Sequence, residues 1–345
     1  MAVAVDCHGA DHGPTEVARG ALAAAADGIE SILFGPAAEL VPVISGAPGV
    51  RIVDSPLSIA KAADPATAVR GNKDASIVRV AQAVKAGEAD AFVAGGSTGA
   101  ALAAGTLIVR RGRGVSRPAL AVPFPRPGTG LPPVTVLDVG ANPEVRPEWL
   151  VQFAYLGAAF AEAVLGIERP RVALLSNGAE ADRGRSEVQE AHATLRAHGD
   201  RIRFVGNVEG VDLLADAAEV IVTDGFSGNI MLKTAEGVSQ ALMRAIRATA
   251  LQSVRGKAGG LLLRSALGGL REEIDPERYG GAYMLGLRAL GVVPHGRFGA
   301  SGFEHAIRLA ARGAESGIAD RVTEALTAAG ALRTAEPPAS VPGER

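Results

Sequence analysis

Short apolar runs alternate with polar, glycine-rich loops and with longer stretches of helical period along most of this chain. Val3–Val5 leads into the loop Asp6–Pro14 and then a predicted helix from about Thr15. Ala91–Ala94 leads into Gly95-Gly96-Ser97-Thr98-Gly99 and an alanine-rich helix to about Arg110. Val134–Leu137 leads into Asp138-Val139-Gly140-Ala141-Asn142 and a helix near Pro147–Leu165. Val172–Leu175 is followed by Ser176-Asn177-Gly178, and Val220–Val222 by Thr223–Asn229 with a helix from about Ile230. Val292-Val293 leads into Pro294-His295-Gly296 and a helix near Phe303–Arg312. Strand–loop–helix units of this kind predict an α/β fold with a mainly parallel sheet covered on both faces. In such sheets the loops after the strand C-termini gather at one edge and form the ligand crevice. These loops are therefore expected to share an edge, with His295 reaching the common crevice.

Three segments depart from the rhythm. Pro123–Pro133 is rich in proline and glycine and predicts an exposed connector or a subdomain turn. Val254–Leu270 holds Leu261-Leu262-Leu263 between glycine pairs, with Arg255, Lys257, Arg264 and Arg271 around it. Thr334–Arg345 carries three prolines and predicts a disordered tail. The expected organisation is one domain over residues 1–333, a protruding helical hairpin at about 240–272, and the tail at 334–345.

Composition narrows the functional classes. The 345 residues suit one large α/β domain, and aromatics at 4% leave a core of alanine, valine, leucine and isoleucine. A net charge of −2 and the lack of a basic stripe with interleaved aromatics argue against nucleic acid. Cys7 is the only cysteine, which excludes an internal disulfide and favours the cytosol. Asp6 interrupts the first apolar run, so the N-terminus reads as a strand, and no apolar run is long enough to span a membrane.

The loops supply the candidate chemistry. Gly95–Gly99 and Asp224–Asn229 are small-residue loops between a strand and a helix, where free backbone N–H groups can meet phosphate. Lys233 follows the second loop by one turn and adds a point charge. The bland reading of each is a capped turn. Asp6, His8, Asp11 and His12 crowd one loop, yet no distant ligand pair completes a zinc set, so no metal is expected. Capping suits Asp6 and Asp11; a proton-carrying or phosphate role suits His8 or His12. Cys7 is a candidate acyl acceptor, with small buried filler as the simpler reading. Asn142 offers a donor to a developing oxyanion or, more plainly, an N-cap. Arg70, Lys73, Arg113 and Arg117 are surface cations of which one or two suit phosphate or an acidic carrier protein. His192, His198 and His305 lie in helical patterns and read as structural or exposed.

Taken in order, these motifs resemble one family. Ala4-Val5-Asp6, Gly9 with Asp11-His12, Ser97-Thr98-Gly99-Ala100, Arg117–Leu120, Asp138–Asn142, Gly206–Glu209, Thr223–Asn229 with Leu232-Lys233-Thr234, Tyr279–Ala282 and His295-Gly296 are similar to the phosphate acyltransferases. Those enzymes move an acyl group from acyl carrier protein to inorganic phosphate. The resemblance implies an α/β/α fold related to phosphotransacetylases and to isocitrate and isopropylmalate dehydrogenases. It also implies a homodimer, a cytoplasmic protein that is soluble or loosely bound at the inner face of the membrane, and no cofactor; the leucines of 254–270, bounded by glycines and cations, are by their own pattern expected either to dip into the lipid headgroup region or to pack in a dimer. Under it, His12, His295, Asn142 and Lys73 are the catalytic candidates. Gly225, Ser227, Gly228, Asn229 and Lys233 are expected to bind phosphate. Asp6, Asp11, Ser97, Thr98, Gly99, Asp138 and Asn177 are expected to line the substrate site. Cys7-His8 and Ala10 depart from the usual Asp-Ala-Met-Gly-Gly-Asp-His, Ser97 replaces the usual Asn, and Ser176–Glu180 replaces Asn-Ile-Gly-Glu-Glu. These departures keep two alternatives open: a phosphotransacetylase-like enzyme using acyl-coenzyme A, and a weakened paralogue that binds acyl chains or carrier protein.

Overall fold

The computed structural model describes residues 1–273 and 275–333; the expected tail at 334–345 lies outside the described residues. Eleven strands form one sheet: β1 Ala2–Asp6, β2 Glu30–Gly35, β3 Val50–Asp54, β4 Ala91–Ala94, β5 Ala119–Phe124, β6 Val134–Leu137, β7 Val172–Leu175, β8 Phe204–Val208, β9 Val220–Val222, β10 Ala282–Leu285 and β11 Gly291–Val293. Their order is β3-β2-β1-β4-β11-β10-β5-β6-β9-β7-β8. Twelve α-helices connect or flank them among the described residues: α1 Pro14–Ala25, α2 Ala37–Ile44, α3 Pro65–Gly71, α4 Ser76–Ala86, α5 Thr98–Ala104, α6 Pro147–Ala163, α7 Ser186–Ala197, α8 Gly225–Leu251, α9 Val254–Leu262, α10 Arg264–Glu273, α11 Ala300–Glu315 and α12 Ile318–Ala329.

The two sheet faces carry two apolar cores, as alternating side chains on short buried strands require. Val3, Val5, Leu33, Leu174 and Val222 meet α1, α6, α7, α11 and α12 on one face. Ala4, Phe92, Val136 and Ile221 meet α4 and α5 on the other, where Met231 and Leu232 of α8 also pack. The α/β/α layering expected from the pattern is present.

The sheet is not parallel throughout. β10 is antiparallel to both β11 and β5, and β5 is antiparallel to β6. Three reversals leave β6, β9, β7 and β8 running opposite to β1–β4 and β11. The loops therefore do not share one edge: those after β1, β4 and β11 form one group, and those after β6, β7 and β9 another. The hairpin β10–β11 breaks the strand–helix alternation, which the helix-based reading did not anticipate.

Other boundaries also shift. α8 begins at Gly225 rather than Ile230, because the Asp224 carboxylate accepts from Ser227 N at 2.8 Å and caps the earlier turn. Pro123–Pro133 is only partly an exposed connector. Its first two residues belong to β5, and its Arg126 is among the largest fully buried side chains, donating to the carbonyls of Pro132 and Ala215 at 2.7 and 3.0 Å.

Candidate functional site: two loop groups joined by a helix

In the first group backbones touch. Asp11 N donates to Gly296 O at 2.7 Å, and Gly95 N to Asp6 O at 3.3 Å. A Cβ on Gly96 would overlap Gly9 O and lie 3.3 Å from Gly296 Cα, so this close approach needs glycine. Asp6 is buried and accepts from His8 N and the Ser76 side chain; burial raises its pKa to about 6. Through these bonds it braces the loop. Ser97 caps α5 and bonds Ala60 O at 3.0 Å, the plain turn-and-cap arrangement. Thr98 and Gly99 at the start of α5 are exposed, as is Lys73 in the turn before α4.

The loop's acid and histidine side chains disperse. His8 Nε2 bonds Ser55 O at 2.9 Å, the Asp11 carboxylate lies beside Gly296, and His12 is exposed. Cys7 is buried, and burial next to Asp6 holds its thiol well above the usual range, which suits filler and not a nucleophile. Among the described residues no cluster of histidine, cysteine or carboxylate side chains has metal-site geometry.

The second group is built on Asp138. Its fully buried carboxylate accepts from Leu120 N, Gly140 N, Ala141 N, Asn142 N and Asn142 Nδ2 at 2.7–3.1 Å. Burial raises its pKa, and these donors oppose the rise. Asn142 Nδ2 also donates to Pro118 O at 2.8 Å, so both amide hydrogens are engaged. The oxyanion role expected of Asn142 would require one of these bonds to be given up. Its carbonyl takes Gly225 N at 2.8 Å, and a Cβ on Gly228 would overlap Asp138 O, so the start of α8 is pressed onto this loop. Gly225 N, Ser227 N and Gly228 N are all occupied within the protein, which leaves little free backbone for phosphate. Arg185 ion-pairs with the buried Asp224. Asn177 accepts from Gly184 N at 2.9 Å and holds the Arg185 loop.

α8 links the groups. Asn229, Lys233 and Glu236 follow one another at i, i+4 and i+7 along one helix face. Lys233 and Glu236 pair at 3.0 Å, and the charges of both bear on His295. His295 stands beside Phe298, with ring centroids 6.2 Å apart. Partial burial, then Arg297 and Lys233, hold its pKa below the ordinary value, against the opposing charges of Glu236 and Asp11. The structure thus brings together His295, Asp11, Gly96, Lys233 and the face that carries Asn229. Asp138, Asn142 and Asn177 belong to the other group. Arg185 and Glu236 were missed in the sequence reading. Glu236 had a local signal, three residues from Lys233, whereas Arg185 meets Asp224 across 39 positions of sequence.

The family model described as "Fatty acid synthesis protein" matches residues 1–321. A phosphate acyltransferase of Enterococcus faecalis is 42% identical over 89% of this chain and 93% of its own length. This chain belongs to the phosphate acyltransferase family. A second phosphate acyltransferase, from Latilactobacillus sakei, is 44% identical over 86% of this chain and 88% of its own. Among solved structures, a phosphotransacetylase from Staphylococcus aureus superposes with a TM-score of 0.58 at 18% identity, covering 91% of this chain and 94% of that one. A branched-chain phosphotransacylase from Enterococcus faecalis does so at 0.57 and 15%, covering 91% and 99%. At that identity the likeness concerns the fold, and it bears out the expected phosphotransacetylase-like fold.

Proposed function

We propose that this family member transfers a fatty acyl group from acyl carrier protein to inorganic phosphate, giving acyl phosphate for phospholipid synthesis, and that the reaction takes place between α8 and the β11 loop. The observation that carries the site is the convergence of Lys233 with a histidine of lowered pKa. Phosphate lies against the outward face of α8, held by Asn229, the Ser227 hydroxyl and Lys233. Neutral His295 accepts the proton of hydrogen phosphate as its oxygen attacks the thioester carbonyl, and returns that proton to the departing thiolate. The bond formed is carbonyl carbon to phosphate oxygen; the bond broken is carbon to sulfur. The exposed start of α5 at Thr98 and Gly99 faces the developing oxyanion. Asp6, Asp138 and Asn142 act by fixing the loops. The coenzyme A alternative is less favoured, because relatives near 40% identity carry the phosphate acyltransferase name while the phosphotransacetylases are at 18%.

The same reading includes a homodimer and a membrane contact. Val238, Leu242 and Ile246 form an exposed stripe on α8, at 61%, 59% and 39% exposure, which a second copy would cover. Leu261 and Leu262 at the α9 end are 69% and 85% exposed and would enter a lipid headgroup layer. Among the described residues no helix is long and apolar enough to cross a membrane.

The test is purified protein with acyl-acyl carrier protein and phosphate, assayed for acyl phosphate. Asn229→Ala and Lys233→Ala should each raise the phosphate KM about tenfold while the carrier KM holds, the loss expected for one charge-assisted contact. Unchanged phosphate kinetics in both variants would remove the α8 assignment.

A further inference from the structure

The segment Arg110–Arg117 holds four arginines in eight residues and no acid, in a chain of net charge −2. The fold adds a fifth from far along the sequence. Gly112 N donates to Gly286 O at 2.9 Å, Arg111 bridges Leu287, and Arg288 N donates to Arg110 O at 3.0 Å, which lays Arg288 beside Arg110. Arg110, Arg113, Arg117 and Arg288 are exposed. Among the described residues no carboxylate lies within salt-bridge distance of these four, although exposed arginines elsewhere, such as Arg19, Arg51 and Arg183, have acidic partners. The like charges are mutually close. Burial first, then Arg333 and Arg117, hold the Arg111 guanidinium below its usual range.

Two features make this surface more than solvated charge. It is partly ordered: Arg117 stacks over the Trp149 ring at 4.9 Å, and Arg111 donates to the Ser116 carbonyl. Guanidinium groups fixed in this way lose less freedom on engaging carboxylates. It also adjoins the start of α8. The carbonyl next to Arg117, that of Pro118, accepts from Asn142 Nδ2, and Asn142 O accepts from Gly225 N at the first residue of α8. A partner seated on the arginines is thus at the N-terminal end of the helix that carries Asn229 and Lys233, on the sheet edge opposite His295.

We propose that the Arg110–Arg117 segment together with Arg288 is the docking surface for the acidic face of the acyl donor's carrier protein. The inference rests on the function proposed above and adds where the donor binds. A lipid surface fits this patch less well. Val115 within it is buried, and the chain's most exposed leucines, Leu261 and Leu262, lie on α9, whereas next to the patch only Leu107 is exposed, at 37%, so the patch offers mainly fixed cations and little apolar surface to insert.

The experiment uses the full chain with Arg110→Glu, Arg113→Glu and Arg288→Glu made singly. Binding of holo-acyl carrier protein is measured by fluorescence anisotropy at two salt concentrations. KM values are taken for acyl-acyl carrier protein, for phosphate and for an acyl-pantetheine donor that lacks the protein. Each reversal is expected to weaken carrier binding about tenfold or more and to flatten its salt dependence, as loss of complementary charge does. The phosphate KM and turnover of acyl-pantetheine should hold, which also certifies folding, and Arg113→Lys should retain most of the binding. Carrier binding equal to wild type in all three reversals would overturn the proposal, as would a wild-type protein that does not bind the carrier. It would equally fall if the reversals abolished binding to anionic phospholipid vesicles and left the carrier untouched. A failure of the proposed reaction reads differently: the carrier binds and no acyl phosphate forms.

Discussion

At the scale of single residues, burial decides which polar groups are available for chemistry. His295 keeps an exposed edge and a lowered pKa, so it is neutral near pH 7 and ready to accept a proton. His295→Ala should lower kcat about 10²- to 10⁴-fold, the range for loss of a positioned acid–base group. In wild type, kcat/KM should fall as pH drops through a value below the ordinary histidine range, and that limb should vanish in the variant; pH–rate profiles of both proteins read it. Asp6 has the opposite fate. Its folded pKa, about 6, lies above its ordinary 3.8, so its stabilising contribution is present below the lower value and lost as pH rises through the upper. A shift of that size corresponds to about 3 kcal/mol. Denaturant titrations of Asp6→Asn should show stability that declines less than wild type between about pH 4 and 6, with the variant the more stable of the two at pH 8. A parallel decline in both would show that Asp6 is not the group responsible.

At the scale of elements, α8 is where local pattern and packing meet. The Asp224 cap and the glycines after it were visible as a strand-to-helix loop. Their use is different from the one the pattern suggested, because Asn142 O and Asp224 already hold the first amides of the helix. Gly228 is required by the overlap that a Cβ would make with Asp138 O. Gly228→Ala should therefore push α8 from the Asp138 loop, costing about 1–3 kcal/mol as overpacking does. It should also raise the phosphate KM by displacing Lys233. Chemical denaturation and steady-state kinetics on one preparation test both parts; a variant with wild-type stability would contradict the close packing described.

At the scale of the whole molecule, the exposed apolar stripe of α8 and the leucines beyond it extend from a sheet otherwise well covered. Val238→Asp with Leu242→Asp should shift the protein to monomer in sedimentation velocity if a second copy covers the stripe. Leu261→Asp with Leu262→Asp should abolish flotation with anionic liposomes and leave activity in solution intact. Retained flotation would remove the lipid contact, and an unchanged sedimentation coefficient would remove the stripe as the dimer interface.

The order of short apolar runs and glycine loops was sufficient to predict an α/β sandwich, since buried parallel strands and their covering helices are written in local periodicity. It also placed His295, Asn229 and Lys233 at strand ends or one turn into a helix. Strand direction is another matter. Whether Val134–Leu137 runs with or against Val3–Val5 depends on pairings with β5 and β10 over long separations, and no local window contains them. That reversal separates Asn142 from His295, while α8 carries Lys233 back to the histidine. Arg288 beside Arg110 and Arg185 on Asp224 arise in the same way, from contacts that exist only after the chain has closed on itself. Sequence therefore determined the layers and the supply of reactive groups; tertiary structure decided which of them face each other, because side-chain availability depends on neighbours the chain brings from afar.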